Sequence, residues 1–142
     1  MAEALSLHFD VDGSDFTRAG ETSSKVKKTL NQLGFDPGLV RRVAIAMYEG
    51  EINMVIHANG GDIDVSISPN EITVWLRDQG PGIPDIEKAM QAGFSTASNQ
   101  VRELGFGAGM GLPNMKKYAD EMEIDTTLGV GTTVKLVIRQ TP

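Results

Sequence analysis

The chain has 142 residues, a net charge of −6 and no cysteine. This length suits a single domain, which we place at residues 1–142, and its core needs neither disulfides nor a structural metal. The lack of cysteine excludes disulfides, and with only two histidines a zinc site is not expected. The negative charge argues against a nucleic-acid partner. Because no apolar run approaches a membrane span and no signal peptide is apparent, we expect a cytoplasmic protein without a membrane partner.

The chain begins with a predicted strand and helix. Apolar and polar residues alternate over 5–11, which is typical of a strand with one buried face. Apolar residues then recur at steps of three and four over 16–33. This period predicts an amphipathic helix, with Ser14 as its N-cap and Gly34 as its stop.

A second helix and a β-hairpin follow. Asp36 is the predicted N-cap of this helix, Pro37 occupies the first helical position, and the helix runs to about Ala58. Alternating apolar residues then predict two strands joined by a tight turn within 63–76.

The second half of the chain is rich in loops. Residues 78–82 form a predicted loop, a short helix is expected over 84–91, and the glycine-rich stretch 93–111 is long enough to be a lid. A helix from Leu112 to about Asp120 precedes two strands within 122–138. Hairpins imply antiparallel pairing, and the long helices need a sheet to cover. We therefore expect an α/β fold: a two-layer sandwich whose mixed, mostly antiparallel sheet has helices on one face.

The second helix carries the first candidate functional residues. Glu49 and Asn53 are four residues apart and share one face within an apolar stripe. A carboxylate and an amide are costly there unless they are paired or face a ligand. The alternative is a solvated Glu–Asn pair at the helix edge. Glu51 points to another side of the helix and is expected at the surface.

Two further candidates lie at strand ends. Asp78, followed by Gly80 and Gly82, places an acid where it can receive an amino group, and the glycines let the backbone approach a ring. The alternative is an Asp-initiated turn. Thr132 opens the last strand, either as a ligand contact or simply as a good strand former.

The last candidate is a run of alternating glycines that leads into a helix. Backbone N–H groups and a helix N-terminus attract anions, so the run could cradle phosphates, or it could be a flexible linker. A P-loop is excluded because Gly-Lys-Ser/Thr is absent. The glycines concerned are Gly105, Gly107, Gly109 and Gly111.

The order and spacing of these four motifs resemble the boxes of the GHKL ATPases (gyrase, Hsp90, histidine kinases and MutL) over about residues 40–139. Residues 78–86 and 93–96 look like those of the anti-sigma-factor serine/threonine kinases, especially the stressosome switch-kinase branch. The resemblance implies a Bergerat-type ATP-binding domain with ATP and Mg²⁺ as cofactors.

The resemblance also assigns roles to the candidate residues. Asn53 matches the magnesium-holding asparagine and Glu49 the general base. Asp78 matches the acid that takes the adenine amino group. Gly80 and Gly82 pass close to the nucleotide, Thr132 lies near the adenine, and Gly105, Gly107, Gly109 and Gly111 form the lid and phosphate loop. No lysine stands in that loop, so Arg102 is the nearest candidate cation for the γ-phosphate.

The implied function is transfer of phosphate from Mg·ATP to a serine or threonine of a STAS-domain antagonist or scaffold protein, in a regulatory, stress-response type of partner switch. The resemblance also admits a sigma factor or a phosphatase as a partner, and assembly as a homodimer. Two alternatives remain open. One is a nucleotide-gated binding module without kinase activity, and the other is a detached histidine-kinase catalytic domain.

Overall fold

The computed structural model describes residues 5–12, 20–58, 60–80 and 111–140. In chain order these residues form β1 (Leu5–Asp12), α1 (Glu21–Gln32), α2 (Pro37–Ala58), β2 (Gly60–Ser68), β3 (Glu71–Asp78), α3 (Gly111–Tyr118), β4 (Glu121–Thr127) and β5 (Gly131–Arg139). The short helix expected over 84–91 and residues 93–110 of the glycine-rich stretch lie outside the described residues.

The five strands form one sheet in the order β1-β2-β3-β5-β4. Each of the four pairings is antiparallel, so the described sheet is antiparallel and not mixed. The inward side chains of the strands share one core with residues of all three helices. The predicted two-layer sandwich with helices on one face is thus confirmed. No helix among the described ranges is long and apolar enough to cross a membrane.

Helix α2 lies at the centre of the helical layer. Val43, Ala46 and Met47 on its inner side are fully buried. They belong to the same core as the alternating strand residues Ile63, Val65, Ile72, Val74, Leu136 and Ile138. The alternation in the sequence therefore identified the buried face of these strands, because successive strand residues point to opposite faces.

Both ends of the α1–α2 connection follow from local chemistry. Gly34 ends α1 with φ +83°, and its N–H and that of Phe35 bond to carbonyls of the last helical turn. Asp36 Oδ2 then accepts hydrogen bonds from the N–H groups of Gly38, at 2.9 Å, and Leu39, at 3.2 Å. The predicted stop of α1 and the predicted cap of α2 are confirmed.

The predicted start of α1 is wrong. The N-cap is Gly20 with φ +97°, which makes no side-chain cap bond, and Ser14 lies outside the described residues. The carboxylate of Glu51 caps the helix instead, from 31 positions away in the chain. The apolar period of the sequence continues upstream of the true start, so it could not locate this boundary.

Candidate active site

Asp78 joins two chain segments at the end of β3. Its Oδ1 accepts hydrogen bonds from the N–H of Gly80, at 2.9 Å, and from the N–H of Thr132, at 3.1 Å. Asp78 is half-buried, and its Oδ2 has no hydrogen-bond partner within the described ranges. One oxygen therefore fixes the local backbone while the other can accept a donor from a ligand.

The start of β5 packs against this acid more closely than any side chain would allow. Asp78 and Thr132 stand opposite each other in the strand register. A β-carbon on Gly131, where φ is +155°, would lie 2.1 Å from the carbonyl oxygen of Asp78. The side chain of Thr132 is buried, with its Oγ1 2.9 Å from that of Thr126. The sequence places Gly131 in the Gly-Thr motif that opens the last strand, but it does not predict the close contact with Asp78.

We expect Gly131→Ala to destabilise the fold by about 2–5 kcal/mol, combining backbone strain with overpacking against main-chain atoms. Gly129→Ala is the matched control. Gly129 also has positive φ, +78°, but no atom lies within 4 Å of its β-carbon position. Urea unfolding of both variants measures the difference. Equal losses of stability in the two variants would show that only the positive φ matters. The close approach of Gly131 to the backbone of Asp78 would then add no cost of its own.

Helix α2 crosses the same end of the sheet. A β-carbon on Gly50 would lie 2.5 Å from Cδ2 of Leu76 in β3. The methyl carbon of Met54 would lie 2.9 Å from a β-carbon on Gly61, the register partner of Asp78. Glycine at position 50, a weak helix former, thus permits close packing of helix on sheet. The turns of α2 that carry the predicted Glu49 and Asn53 consequently lie beside the Asp78 end of β3.

Glu49 faces α3. It is half-buried, and its Oε1 lies 3.5 Å from Nδ2 of Asn114 in the first turn of that helix. Burial raises the pKa of the Glu49 carboxyl, and the Asn114 hydrogen bond lowers it by less. Sequence reasoning missed Asn114. The available signal was its position at the start of the helix that follows the glycine-rich stretch.

Asn53 lies one turn beyond Glu49 on the same side of α2. It is half-buried and has no hydrogen-bond partner in the part of the chain that the structure describes. Among the described residues, no hydrogen bond joins it to Glu49. A half-buried amide without a partner is suited to a ligand.

The remaining predicted residues divide into two groups. Gly80 is buried and donates its N–H to Asp78, and Gly111 begins α3. Gly82, Arg102, Gly105, Gly107 and Gly109 lie outside the described residues.

The opposite face of the sheet carries a separate group of ionisable side chains. Potential ligand atoms of His8, Asp62 and Asp64 lie within 4.8 Å of one another. The Asp64 hydrogen bond is the largest cause that raises the pKa of the exposed His8. Arg77 pairs with both acids, so this group already has its counter-charge. It lies across the sheet from α2 and takes no part in the candidate site.

Comparison with known protein families finds a match over most of the chain. Residues 38–142 match the family model described as histidine kinase-, DNA gyrase B- and HSP90-like ATPases. The chain belongs to this ATPase family. As a GHKL member it is an ATP-binding protein, and the resemblance read from the four motifs is confirmed.

Curated relatives narrow the family further. The serine/threonine-protein kinase RsbT of Bacillus subtilis (strain 168) is 32% identical over 115 residues, covering 78% of this chain and 80% of that protein. An anti-sigma F factor of Bacillus licheniformis is 34% identical over 131 residues, covering 85% and 86%. One from Thermoanaerobacter sp. (strain X514) is 38% identical over 99 residues, and the match spans 66% of each chain. These GHKL relatives support a partner-switching kinase family.

Solved structures share the fold. The RsbU and RsbW domains of a Mycobacterium tuberculosis protein match with a TM-score of 0.65 and 17% identity, covering 95% of this chain and 32% of that one. A mycobacterial sensor histidine kinase, MprB, matches with a TM-score of 0.52 and 20% identity, covering 96% and 99%. At these identities the likeness bears on the GHKL fold alone.

Proposed function

We propose that this GHKL protein is a serine/threonine kinase that transfers the γ-phosphate of Mg·ATP to a STAS-domain protein in a partner-switching pathway. One observation carries the proposal: beside the strand end that holds Asp78, α2 presents a half-buried carboxyl, Glu49, and the amide of Asn53, which has no partner among the described residues. Its relatives include a serine/threonine-protein kinase and anti-sigma factors, which supports both the reaction and a sigma factor as a second partner.

Adenine recognition falls to Asp78 in this proposal. Its Oδ1 is engaged by the N–H groups of Gly80 and Thr132, which leaves Oδ2 as the acceptor for the N6 amino group of adenine. The close approach of Gly131 to the backbone of Asp78 keeps bulk away from this edge. The buried Thr132 completes the wall beside it. Gly82 would let the following backbone pass close to the ring.

Asn53 is the proposed protein ligand of Mg²⁺. An amide oxygen fits a hard cation that prefers oxygen ligands and takes most of the others from phosphates and water. When bound, Mg²⁺ neutralises charge on the transferring phosphate. The residues Gly105, Gly107, Gly109 and Gly111 remain the proposed source of backbone N–H groups for the phosphates.

Glu49 is the proposed general base. It would accept the proton of the attacking serine or threonine hydroxyl as that oxygen forms a bond to the γ-phosphorus. The bond from the γ-phosphorus to the β–γ bridging oxygen breaks, and ADP leaves. Burial raises the pKa of Glu49, which makes it a better proton acceptor than a solvated glutamate.

The test is transfer of labelled γ-phosphate to a purified STAS-domain protein, followed by phosphoamino acid analysis. We expect label on serine or threonine. A bound but unlabelled partner would favour the nucleotide-gated binding module, which the anti-sigma names of several relatives also suit. Label on histidine would favour a histidine-kinase catalytic domain. Either result would overturn the proposed serine/threonine kinase activity.

Asn53→Ala should lower the affinity for ATP in the presence of Mg²⁺ while leaving the weaker, Mg²⁺-free binding of ATP nearly unchanged, because the lost amide contacts the metal and not the nucleotide. We expect a decrease of about 10-fold, the equivalent of one good polar contact. Calorimetry with and without EDTA measures both affinities. An equal decrease in the two conditions would contradict the metal assignment.

The pH dependence of transfer should change when Asn114 is removed. A general base acts when deprotonated, so the rate falls as pH drops through the pKa of Glu49. The Asn114 hydrogen bond lowers that pKa, hence Asn114→Ala should move the acid limb of the rate profile to higher pH. Lys116→Ala, at an exposed position of the same helix, is the control. A limb that stays in place, or moves to lower pH, would argue against Glu49 as the titrating base.

A further inference from the structure

Glu51 is the one ionisable side chain within the described ranges that is buried, at 2% exposure. Its carboxylate accepts three backbone hydrogen bonds, from the N–H groups of Gly20 (3.0 Å), Thr22 (3.2 Å) and Ser23 (3.0 Å). Over the same ranges, no cation pairs with it. A buried charge needs compensation, and here it comes from the free N–H groups and positive dipole end of α1.

Three consecutive residues of α2 contact three different elements. Glu49 faces Asn114 of α3, Gly50 lies against Leu76 of β3, and Glu51 holds the start of α1. Successive helical residues point about 100° apart, so these contacts surround one turn of the helix. The rotation of this turn is therefore fixed from three sides, and Glu51 supplies the side that faces α1.

The start of α1 contacts this turn at a second point. A β-carbon on Gly20 would lie 2.9 Å from Cε1 of the Tyr48 ring, directly before Glu49 in the chain. The left-handed conformation of Gly20, with φ +97°, and its N–H bond to Glu51 bring the backbone into this position. The chain entering α1 is thus pinned to the turn that carries Glu49.

We propose that Glu51 is a positioning residue for phosphoryl transfer: by fastening the start of α1 to α2, it holds this turn in the rotation that presents Glu49 toward Asn114. This inference rests on the proposed kinase function, because it assumes that Glu49 is the base. Glu51 itself lies on the α1 side of α2, away from the face that Glu49 and Asn53 share, so in this proposal it acts through Glu49 and not directly on ATP or the acceptor hydroxyl.

Glu51→Gln keeps the size of the side chain but turns one acceptor oxygen into an NH₂ group. At least one N–H of α1 then loses its acceptor and faces another donor, so the start of α1 should release. A displacement of about 1 Å at a catalytic group can cost up to ~10²-fold in rate. Glu51→Asp retains the charge with a shorter reach and should fall between Gln and wild type.

Ser23→Ala is the matched control. The Ser23 hydroxyl donates to the carbonyl of Gly20 at 3.0 Å, so its removal weakens the same turn of α1. All three N–H bonds to Glu51 are kept. Any effect specific to the carboxylate should be absent from this variant.

The experiment measures single-turnover transfer to a purified STAS-domain protein, together with Mg·ATP affinity, at a temperature where each variant is folded. We expect Glu51→Gln to lower the transfer rate about 10- to 100-fold. The affinity for Mg·ATP should fall by a smaller factor, because the proposed adenine contact, Asp78, belongs to β3 and not to α2. Glu51→Asp should recover part of the rate, and Ser23→Ala should stay near wild type. If Glu51→Gln does not fold, the transfer rates of Glu51→Asp and Ser23→Ala are compared instead, and we expect the lower rate in Glu51→Asp.

A folded Glu51→Gln protein with the wild-type rate, or an equal loss in Ser23→Ala, would overturn the inference and leave Glu51 a purely structural cap. If the wild type labels no acceptor, the proposed kinase function fails separately. The side-chain NH₂ resonances of Asn114 then still report whether Glu49 moves. A shift in Glu51→Gln but not in Ser23→Ala would support the positioning of Glu49, and no shift in either would overturn it.

Discussion

Glu49→Gln is expected to bind Mg·ATP and its protein partner as the wild type does, while the rate of phosphoryl transfer falls ~10²–10⁴-fold. The substitution preserves size and polarity and can still contact Asn114, 3.5 Å away in the native protein. It removes only the proton acceptor. Quenched single-turnover reactions with labelled ATP separate this loss of chemistry from any loss of binding.

This experiment needs a control variant in which another glutamate is changed to glutamine. Glu51→Gln is unsuitable because Glu51 caps α1 and is buried. Glu123→Gln changes an exposed acid on β4 and should transfer phosphate at the wild-type rate. If Glu49→Gln also keeps the wild-type rate, Glu49 is not the base. Phosphoryl transfer would then depend on positioning and charge stabilisation alone.

Asp78→Asn is expected to lower ATP affinity about 10- to 100-fold, the value of a hydrogen bond to a charged acceptor, and to reduce the preference for ATP over GTP. In the native protein a single oxygen, Oδ1, accepts both backbone N–H groups, from Gly80 and Thr132. The amide oxygen of asparagine can keep both bonds. Its NH₂ group then replaces Oδ2 and faces the N6 amino donor of adenine, whereas guanine presents an acceptor there.

The same geometry predicts that the fold of Asp78→Asn is little changed, which separates loss of recognition from loss of structure. Asp125→Asn, at an exposed position of β4, makes the same charge change elsewhere and is the control. Calorimetric titration with ATP and with GTP measures affinity and preference together. A variant that keeps the wild-type preference for ATP would remove Asp78 from adenine recognition.

The parts of this fold that could be predicted from sequence depend on neighbouring residues. The boundaries of α2 follow from Asp36 and Pro37 at one end and the glycines after Ala58 at the other. The strand faces follow from alternation, and Glu49 and Asn53 share a side because helical residues four apart do so. None of these inferences needs a tertiary contact.

The parts that could not be predicted depend on residues distant in the chain. The sequence predicted that Glu51 is a surface acid, because the N–H groups that bind its buried carboxylate belong to the start of α1, about 30 positions earlier. For the same reason the start of α1 was placed too early, since its cap is supplied by α2. Asn114 was missed because only folding brings α3 against Glu49. The close contact between Gly131 and Asp78 could not be predicted because it depends on the register between β3 and β5.

The most direct measurement is a crystal structure of the protein with Mg²⁺ and a non-hydrolysable ATP analogue. We expect Oδ2 of Asp78 within hydrogen-bond distance of adenine N6, the amide oxygen of Asn53 on the metal, and Glu49 directed toward the γ-phosphate. Nucleotide bound elsewhere, or bound here with Asn53 and Glu49 turned away from the phosphates, would contradict it.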